Sequence, residues 1–220
     1  MTGRELDLYL SEGYFRMQQD VFTCRFILFD NRLCPVHWLR LDLARVTYGK
    51  SQRQLLKTNA RFSVDVRPFV LTPELETLYA EYRDSISFDA PLSVEACLLD
   101  GSAYNVFDSY VVEVRDGTRL IAAGIFDGGV RSIAGIMNFY HPDYRRYSLG
   151  KYLMLQKIRY AQQQQKVYYY PGYVVSYYPK FDYKLYACES ATELFDQLSG
   201  NWLPFSWETM STLAAAMLDE

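Results

Sequence analysis

Residues 131–170 read RSIAGIMNFYHPDYRRYSLGKYLMLQKIRYAQQQQKVYYY, and this stretch decides the fold. Its first part, up to Tyr140, has the apolar and aromatic residues of a strand, and the loop HPDYRRYSLG follows. From Leu149 to about Gln165 the apolar residues cover one broad face at helical spacing, which predicts an amphipathic helix. VYYY at 167–170 predicts a further strand. A strand, a crossover helix and a second strand in this order indicate a parallel strand pair.

Two more strands precede this unit. SYVVEVRD and TRLIAAGIFD are rich in apolar residues, and the turn signals Asp116-Gly117 and Gly128-Gly129 join them into a meander with the strand that ends at Tyr140. The order β-β-β-loop-α-β matches the core of the acyl-CoA N-acetyltransferase (GNAT) fold. We therefore expect an α+β protein with a GNAT-like acyltransferase core. Its central, twisted and mostly antiparallel sheet should be flanked by helices.

The sequence before this core predicts an N-terminal extension. Residues 1–70 are expected to form an α/β extension with a basic helix, and residues 71–220 are expected to form the transferase core. The expected elements are a helix over 4–11, strands over 22–29, 35–43 and 62–69, a helix capped by Ser51, a helix from Thr72-Pro73 to about residue 86, and a short helix over 93–99.

Composition excludes several classes of protein. Half of the 220 residues are apolar and 22% are charged, which excludes intrinsic disorder for most of the chain. The longest apolar run, residues 120–126, is too short to span a bilayer. Residues 1–16 carry charges and no apolar core, so we expect no secretory signal and a cytoplasmic protein. The four cysteines form no CxxC pair and there are two histidines, so we expect reduced cysteines and no metal site.

Basic residues form two blocks in a chain whose net charge is −3. One block lies between residues 40 and 67, where Arg53, Lys57 and Arg61 are spaced i, i+4, i+8. The other lies between residues 144 and 166. Such blocks can form a positive patch that binds a phosphate-rich ligand, and they are equally typical of solvated helix faces. The sequence leaves both interpretations open.

The loop before the long helix has features of a phosphate site. Residues 145–150, RRYSLG, are similar to the Arg/Gln-x-x-Gly-x-Gly/Ala turn of acetyltransferases, with Ser148 in place of the first glycine. Small residues in that turn let backbone N–H groups approach phosphates at a helix N-terminus. A plain helix start with Ser148 as its cap explains the same residues.

Over roughly residues 6–190, and in the same order, the chain resembles the arginyl/leucyl-tRNA–protein transferases. In the C-terminal half the resemblance is carried by Asp127, Ser132, Tyr140, Pro142, residues 148–150 (SLG), residues 169–173 (YYPGY) and Tyr183-Lys184. In the N-terminal half it is carried by residues 13–16 (GYFR), 34–40 (CPVHWLR) and 50–59 (KSQRQLLKTN). These enzymes have a GNAT-like fold and use an aminoacyl-tRNA where acetyltransferases use acetyl-CoA. The family's Cys-rich cluster with its CxxC pair has no counterpart in this sequence, where only Cys24 and Cys34 lie in that region.

The resemblance implies an aminoacyltransferase that moves an amino acid of the Arg or Leu type from charged tRNA to the N-terminal α-amine of an acceptor protein, which creates an N-degron. It implies no cofactor besides the tRNA donor and no membrane partner. The implied catalytic residues are Asp127, which would orient or deprotonate the amine, Tyr140 and Tyr173. The implied tRNA and phosphate ligands are Arg53, Lys57, Arg61, Arg145, Arg146, Ser148 and Gly150. The implied acceptor contacts are Ser132, Tyr170 and Lys184.

Two other functions remain open from the residues. An acetyl-CoA-dependent N-acetyltransferase shares the fold and the amine chemistry, but binding CoA does not require the basic helix of residues 51–61. A non-catalytic relative that keeps the fold as a binding protein would not depend on Asp127.

Overall fold

A large mixed sheet organises the chain in the computed structural model, which describes residues 1–29 and 31–219. The helices are α1 Gly3–Ser11, α2 Lys50–Asn59, α3 Pro73–Asp84, α4 Val94–Leu98, α5 Leu149–Gln163 and α6 Trp207–Leu218. The strands are β1 Phe15–Met17, β2 Asp20–Phe22, β3 Phe26–Phe29, β4 Arg32–Asp42, β5 Ser63–Pro68, β6 Ser109–Asp116, β7 Arg119–Gly128, β8 Ser132–Tyr140, β9 Tyr168–Val175, β10 Thr192–Asp196 and β11 Asn201–Pro204. Short 3₁₀ segments cover Pro142–Tyr147, Pro179–Tyr186 and Glu189–Ala191.

Within the described residues the large sheet has nine strands in the order β11-β10-β4-β9-β8-β7-β6-β5, with β3 beside one end of β4. Its neighbouring strands are antiparallel except β8 and β9, which are parallel. Helices cover both faces, because Val112 packs in the cluster of α5 and α2 whereas the adjacent Val111 packs in that of α3 and α4. The α+β class, the mostly antiparallel sheet and the flanking helices predicted from the sequence are confirmed.

The local signals of the core are confirmed as well. β6, β7 and β8 form the expected meander, and β9 lies parallel to β8 after α5. The Thr72 hydroxyl caps α3 by accepting the Leu75 N–H at 3.3 Å. β9 extends past its predicted end at residue 170, because β4 pairs along it as far as Val175.

Two expectations for the N-terminal elements are wrong. Residues 22–29 are not one strand, because Phe22 pairs with β1 whereas Phe26 begins the pairing with β4. Ser51 does not cap α2, since the helix already begins at Lys50 after Gly49. The Ser51 hydroxyl instead lies 3.1 Å from the hydroxyl of Tyr186.

Strands from both ends of the chain complete the large sheet. β4 lies in its interior between β9 and β10, and β5 forms one edge, so the sheet is continuous across the domain boundary predicted near residue 70. That boundary stays a prediction. β10, β11 and α6 follow the last element that the sequence predicted, and α6 packs against Leu39 of β4 and Val174 of β9.

Gly13 provides a test of this packing. It joins α1 to β1 with φ +79°, and a Cβ at this position would lie 2.4 Å from the Phe195 ring. We expect Gly13→Ala to lower the free energy of unfolding by roughly 3 kcal/mol or more, because left-handed strain of about 1–2 kcal/mol adds to the steric clash. The control is Gly200→Ala, with φ +73° and open space around the added Cβ, which should lose only the strain. Denaturant unfolding measures both losses, and equal losses would contradict the clash.

Candidate active site

The parallel strands β8 and β9 enclose a cavity where they stop pairing. Their register covers only Ser132↔Tyr168, Ile133↔Tyr169 and Ala134↔Tyr170, although both strands continue for several residues. Beyond these pairs a cavity of about 290 Å³ opens between residues 135–138 of β8 and 171–173 of β9. We call it the wedge cavity. Helix α5 and strands β1, β2 and β4 supply the other walls, together with Tyr183 and Lys184.

A bulge in β8 shapes one wall of the wedge cavity. Ile125 of β7 pairs with Met137, whereas the next residue, Phe126, pairs with Gly135, so β8 contains one extra residue at Ile136. Gly135 is confined by its neighbours as well, since a Cβ there would lie 2.7 Å from the Tyr169 hydroxyl. The bulge and the glycine therefore bring the β8 backbone to the cavity surface.

Lys157 of α5 lies in the wedge cavity wall and is almost fully buried. Its Nζ donates to the carbonyl oxygens of Ile125 at 2.7 Å and of Met137 at 3.2 Å. Burial lowers the pKa of this ammonium to about 7, and the charge of Asp127 opposes part of that shift. Near neutral pH Lys157 therefore exists in both its protonated and its neutral form.

Lys184 enters the same cavity from the 3₁₀ segment Pro179–Tyr186. Its Nζ donates to the Tyr173 carbonyl at 2.8 Å and lies 4.8 Å from the centre of the Tyr173 ring and 4.6 Å from that of Phe181. Removal from water lowers the pKa of this ammonium to about 7 as well. Two amines that can change charge near neutral pH thus line one cavity.

Asp127 and Arg16 form a buried ion pair beside the wedge cavity. Arg16 Nη1 donates to Asp127 Oδ1 at 2.9 Å, and the Ser109 hydroxyl donates to the same oxygen at 2.5 Å. Burial raises the pKa of Asp127, and the charge of Arg16 and the hydrogen bond from Ser109 oppose that shift. Arg16 lines the cavity, whereas Asp127 is fully buried and is not among the lining residues. Asp127 therefore adjoins the cavity only through its ion pair with Arg16, and its predicted catalytic role stays a prediction.

A second cavity adjoins the wedge cavity at the N-terminus of α5. Asn138 and Tyr183 line both cavities, and the second one is also lined by Tyr82, Tyr140, Arg145, Ser148, Gly150 and Lys151. Ser148 has φ +50°, and its side chain makes no capping hydrogen bond. The first backbone N–H groups of a helix have no partner within the helix, and the helix dipole makes this end attractive to an anion.

The second cavity continues toward the basic helix α2. Lys151 and Tyr183 also line an opening beside Ser51 and Gln52 at the start of this helix. At its other end α2 is tied to the loop before α5, because Asn59 Nδ2 donates to the Tyr147 carbonyl at 3.1 Å. The three openings adjoin one another through shared lining residues, and we call them together the α2 groove.

The structure divides the predicted site residues among several places. Tyr173 and Lys184 line the wedge cavity, and Tyr140, Arg145, Ser148 and Gly150 line the cavity at the start of α5. Arg53, Lys57 and Arg61 are exposed on and just after α2, and Arg53 donates to the Tyr48 carbonyl. Arg146 is exposed, with its guanidinium 4.9 Å from the Tyr147 ring centre. The roles of all these residues stay predictions.

Ser132 and Tyr170 lie away from the wedge cavity. They line a separate cleft with residues of α1, and the Ser132 hydroxyl donates to Asp7 Oδ1 at 2.6 Å. Burial raises the pKa of Tyr170 to about 12. The three predicted acceptor contacts are therefore not brought together, because only Lys184 lines the wedge cavity.

Three residues of the site are not identifiable as such from the sequence. The sequence places Arg16 in the GYFR segment without indicating a role, and it shows Lys157 only as part of a basic block. Asn138 carries no sequence signal, although its Oδ1 is buried and has no hydrogen-bond partner among the described residues. For Lys157, the row of four-residue steps that it shares with the fully buried Leu149, Leu153 and Ala161 indicates burial once α5 is known to lie on the sheet.

Two kinds of feature are absent from the described part of the chain. Across residues 1–29 and 31–219, no three His, Cys, Asp or Glu side chains are grouped so that they could hold a metal ion. In the same residues no helix is both long and apolar enough to cross a membrane.

The meander, α5 and the diverging parallel strands make up the GNAT-like core predicted from the sequence. Residues 67–189 match the family described as Arginine-tRNA-protein transferase, C terminus. Because this match covers more than half of the chain, the chain belongs to that family.

Individual relatives agree with the family match. An aspartate/glutamate leucyltransferase of Leptospira interrogans is 28% identical over 152 residues, which are 67% of this chain and 59% of that protein. One from Saccharophagus degradans is 30% identical over 172 residues, which are 76% of this chain and 70% of the relative. A solved GCN5-related N-acetyltransferase from Kribbella flavida aligns with a TM-score of 0.37 at 15% identity, over 62% of this chain and 47% of that one. The chain thus spans less than two thirds of the length of the Leptospira relative.

The low pKa of Lys157 predicts a pH dependence of stability. A lysine has a pKa near 10.4 in an unfolded chain, against about 7 for Lys157 when folded. Between these two pKa values the unfolded chain binds more protons than the folded chain. The contribution of Lys157 to the free energy of unfolding therefore rises with pH across this range. The same contribution is lost as the pH falls toward 7. Across this pH range we expect the free energy of unfolding of the wild type to rise, relative to that of Lys157→Met, by about 1.4 kcal/mol per pH unit.

Urea unfolding at several pH values tests this expectation. The control is Lys166→Met, because Lys166 Nζ also donates to two backbone carbonyls, those of Gly129 and Val130, but lies outside the wedge cavity. In the control, the slope of the free energy of unfolding against pH should equal that of the wild type. A Lys157→Met protein with that same slope would show that Lys157 does not titrate near neutral pH.

Proposed function

We propose that this chain is an aminoacyl-tRNA–protein transferase. In this proposal it moves a leucyl or arginyl group from charged tRNA to the N-terminal α-amine of an acceptor protein in the cytoplasm, and the new N-terminus acts as an N-degron. One observation supports it above the others: the α2 groove leads from a basic helix, past a helix N-terminus, into a cavity with two lysines. The family match and the names of the relatives agree with it.

The reaction needs little covalent chemistry from the protein. An aminoacyl ester is already activated, so no serine or cysteine nucleophile is required. The site has to align the amine with the ester carbonyl, accept a proton and donate hydrogen bonds to the developing oxyanion. Beyond Ala134 the β8 backbone faces the wedge cavity instead of β9, and the Tyr173 side chain lines it too, so N–H and O–H donors are available there.

The cavity at the start of α5 suits the 3′ end of the tRNA. The N-terminus of α5 and Arg145 would hold the last phosphate. The rings of Tyr82 and Tyr140 have centres 5.3 Å apart and are inclined by 58°, so one of them would stack on the unpaired terminal base and the other would contact its edge. Arg53, Lys57 and Arg61 would then contact the backbone of the acceptor stem beyond the cavity.

Lys184 is the proposed contact for the acceptor. The relatives are named aspartate/glutamate leucyltransferases, and Lys184 is a cation within the wedge cavity whose neighbours are aromatic rings. In its protonated form it would pair with the carboxylate of an acidic N-terminal residue. An acidic side chain beside Lys184 would leave the α-amine free to face the ester.

A transfer assay tests the proposal. Purified protein is mixed with leucyl-tRNA or arginyl-tRNA and with peptides that begin with Asp, Asn or Lys, and a parallel reaction contains acetyl-CoA without tRNA. We expect transfer from one of the charged tRNAs to the Asp peptide. Acetylation without aminoacyl transfer would move the protein to the N-acetyltransferases, and no transfer from either donor would overturn the proposal.

The basic helix α2 gives a prediction for tRNA binding. The double variant Arg53→Ala/Lys57→Ala should bind charged tRNA more weakly. Its plot of log binding constant against log salt should be shallower by about 0.7–0.9 for each phosphate that the variant no longer neutralises. Filter binding across a salt series measures both effects. The control is Arg4→Ala/Arg32→Ala, which removes two exposed cations away from the α2 groove and should leave the slope unchanged. Identical slopes in all three proteins would show that α2 is only a solvated face.

Lys184 gives a prediction for acceptor selectivity. Lys184→Met keeps the apolar stem but removes the charge, so the KM for the Asp peptide should rise about 10- to 100-fold while the Asn peptide changes little. Steady-state kinetics with the two peptides measures this difference. Preserved preference for Asp in Lys184→Met would contradict the assignment.

A further inference from the structure

Lys157 occupies a position in the fold where a lysine is costly to bury. Leu153 and Ala161, one step of four residues on either side along α5, are both fully buried. In the described part of the chain no carboxylate lies within ion-pair distance of Lys157. Asp127 forms its ion pair with Arg16. A buried ammonium without a counter-ion loses its hydration and gains little in return, which favours the neutral amine.

The hydrogen bonds of Lys157 fix where its lone pair lies when it is neutral. Nζ has three positions besides its bond to Cε, and two of them hold the N–H groups that donate to Ile125 and Met137. Among the described residues no third group accepts from Nζ, and the side chain lines the wedge cavity. In the neutral amine the remaining position is a lone pair. The backbone carbonyls of Ile125 and Met137 therefore orient Nζ so that its lone pair is free to accept a proton.

Other charged and titratable groups surround Lys157 on several elements. They are Asp127 on β7, Arg16 on β1, Tyr169 on β9, and Tyr183 and Lys184 in the segment Pro179–Tyr186. Asp127 favours the ammonium, but its charge is offset by Arg16 at 2.9 Å. Burial raises the pKa of Tyr169 and of Tyr183, so both phenols stay neutral at neutral pH. The neighbours therefore do not restore the charge of Lys157.

We propose that Lys157 is the catalytic proton acceptor for the attacking α-amine, an inference that rests on the proposed aminoacyl transfer. The acceptor amine binds after it has released one proton to solvent. Its nitrogen attacks the ester carbonyl carbon, the C–N bond forms, and the carbonyl oxygen becomes an oxyanion. Lys157 Nζ takes the excess proton from that nitrogen.

The same proton completes the reaction. When the oxyanion collapses, the bond between the carbonyl carbon and the ribose oxygen breaks, and the Lys157 ammonium gives its proton to the leaving oxygen. The products are the extended protein and a tRNA with a free ribose hydroxyl. Lys157 returns to the neutral form, so the step is balanced without a further reactant.

Single-turnover transfer from bound charged tRNA at saturating acceptor tests this role. Lys157→Gln and Lys157→Arg should both lower the transfer rate by about 10²- to 10⁴-fold while charged-tRNA binding is retained. Arginine keeps the positive charge and the donors but does not give up its proton in a protein, so it cannot replace a base. The control is Lys166→Gln, which removes a comparable two-carbonyl contact outside the cavity and should keep the wild-type rate. A Lys157→Arg protein with the wild-type rate would overturn the proposal.

The pH profile separates a base from a cationic donor. With the Asn peptide, whose binding does not use the charge of Lys184, the single-turnover rate of the wild type should rise with pH through about 7 and then level off. A rate that falls as the pH rises through this range would mean that the ammonium is the active form, which also overturns the proposal. If the wild type transfers no aminoacyl group at all, the proposed function fails, and this inference fails with it. If the wild type is active and Lys157→Gln equals it, only the inference fails.

A titration independent of activity completes the test. In protein labelled with ¹³C at lysine Cε, we expect a resonance that titrates near pH 7 and is missing in Lys157→Gln but present in Lys184→Met. This assigns the signal to Lys157 whether or not transfer is observed. A Lys157 signal that titrates near 10.4, as in an unfolded chain, would overturn the proposal.

Discussion

The short parallel pairing of β8 and β9 is the constraint on which the rest of the site depends. It ends after Ala134 and Tyr170, immediately before Pro171 of β9, a residue that has no N–H for a strand ladder. On the other strand, the bulge at Ile136 changes the register. Strand β9 stays paired with β4 and strand β8 stays paired with β7, but β8 and β9 no longer pair with each other. The two strands therefore diverge. The wedge cavity is the space that this divergence leaves.

Charge in and beside the wedge cavity is distributed between one neutralised ion pair and two amines. Arg16 and Asp127 neutralise each other beside it, and their pairing ties β1 to β7 across a sequence separation of more than one hundred residues. The cavity itself holds Lys157 and Lys184, two amines without a carboxylate partner among the described residues. Their burial costs stability at neutral pH, and a fold that retains such groups in a cavity typically does so at a functional site.

The elements predicted from the sequence are those whose signals are local. Turn residues mark the meander, Thr72 and Pro73 mark the start of α3, and helical spacing marks α5. Pairing between distant segments has no such signal. The interior position of β4 could therefore not be predicted. Nor could the sequence show that Phe22 pairs with β1 whereas residues 26–29 pair with β4. In the same way, Lys157 is identifiable from the sequence as basic but not as buried. Its burial follows from the row of four-residue steps it shares with Leu153, once α5 is known to lie on the sheet.

Alternation along β9 explains why the tyrosines of the YYYPGY segment do not act as one group. Tyr169 packs with the α5 side of the sheet, whereas Tyr170 packs with α1 and β1 on the other side. Gly172, with φ +98°, changes this alternation, and Tyr173 lines the wedge cavity opposite Lys184. The strand therefore separates Tyr170, which forms part of the cleft beside Asp7, from Tyr173, which lines the wedge cavity. Sequence adjacency places these rings within a few residues of each other, but the period of the strand and one glycine decide which of them can contact a substrate in the wedge cavity.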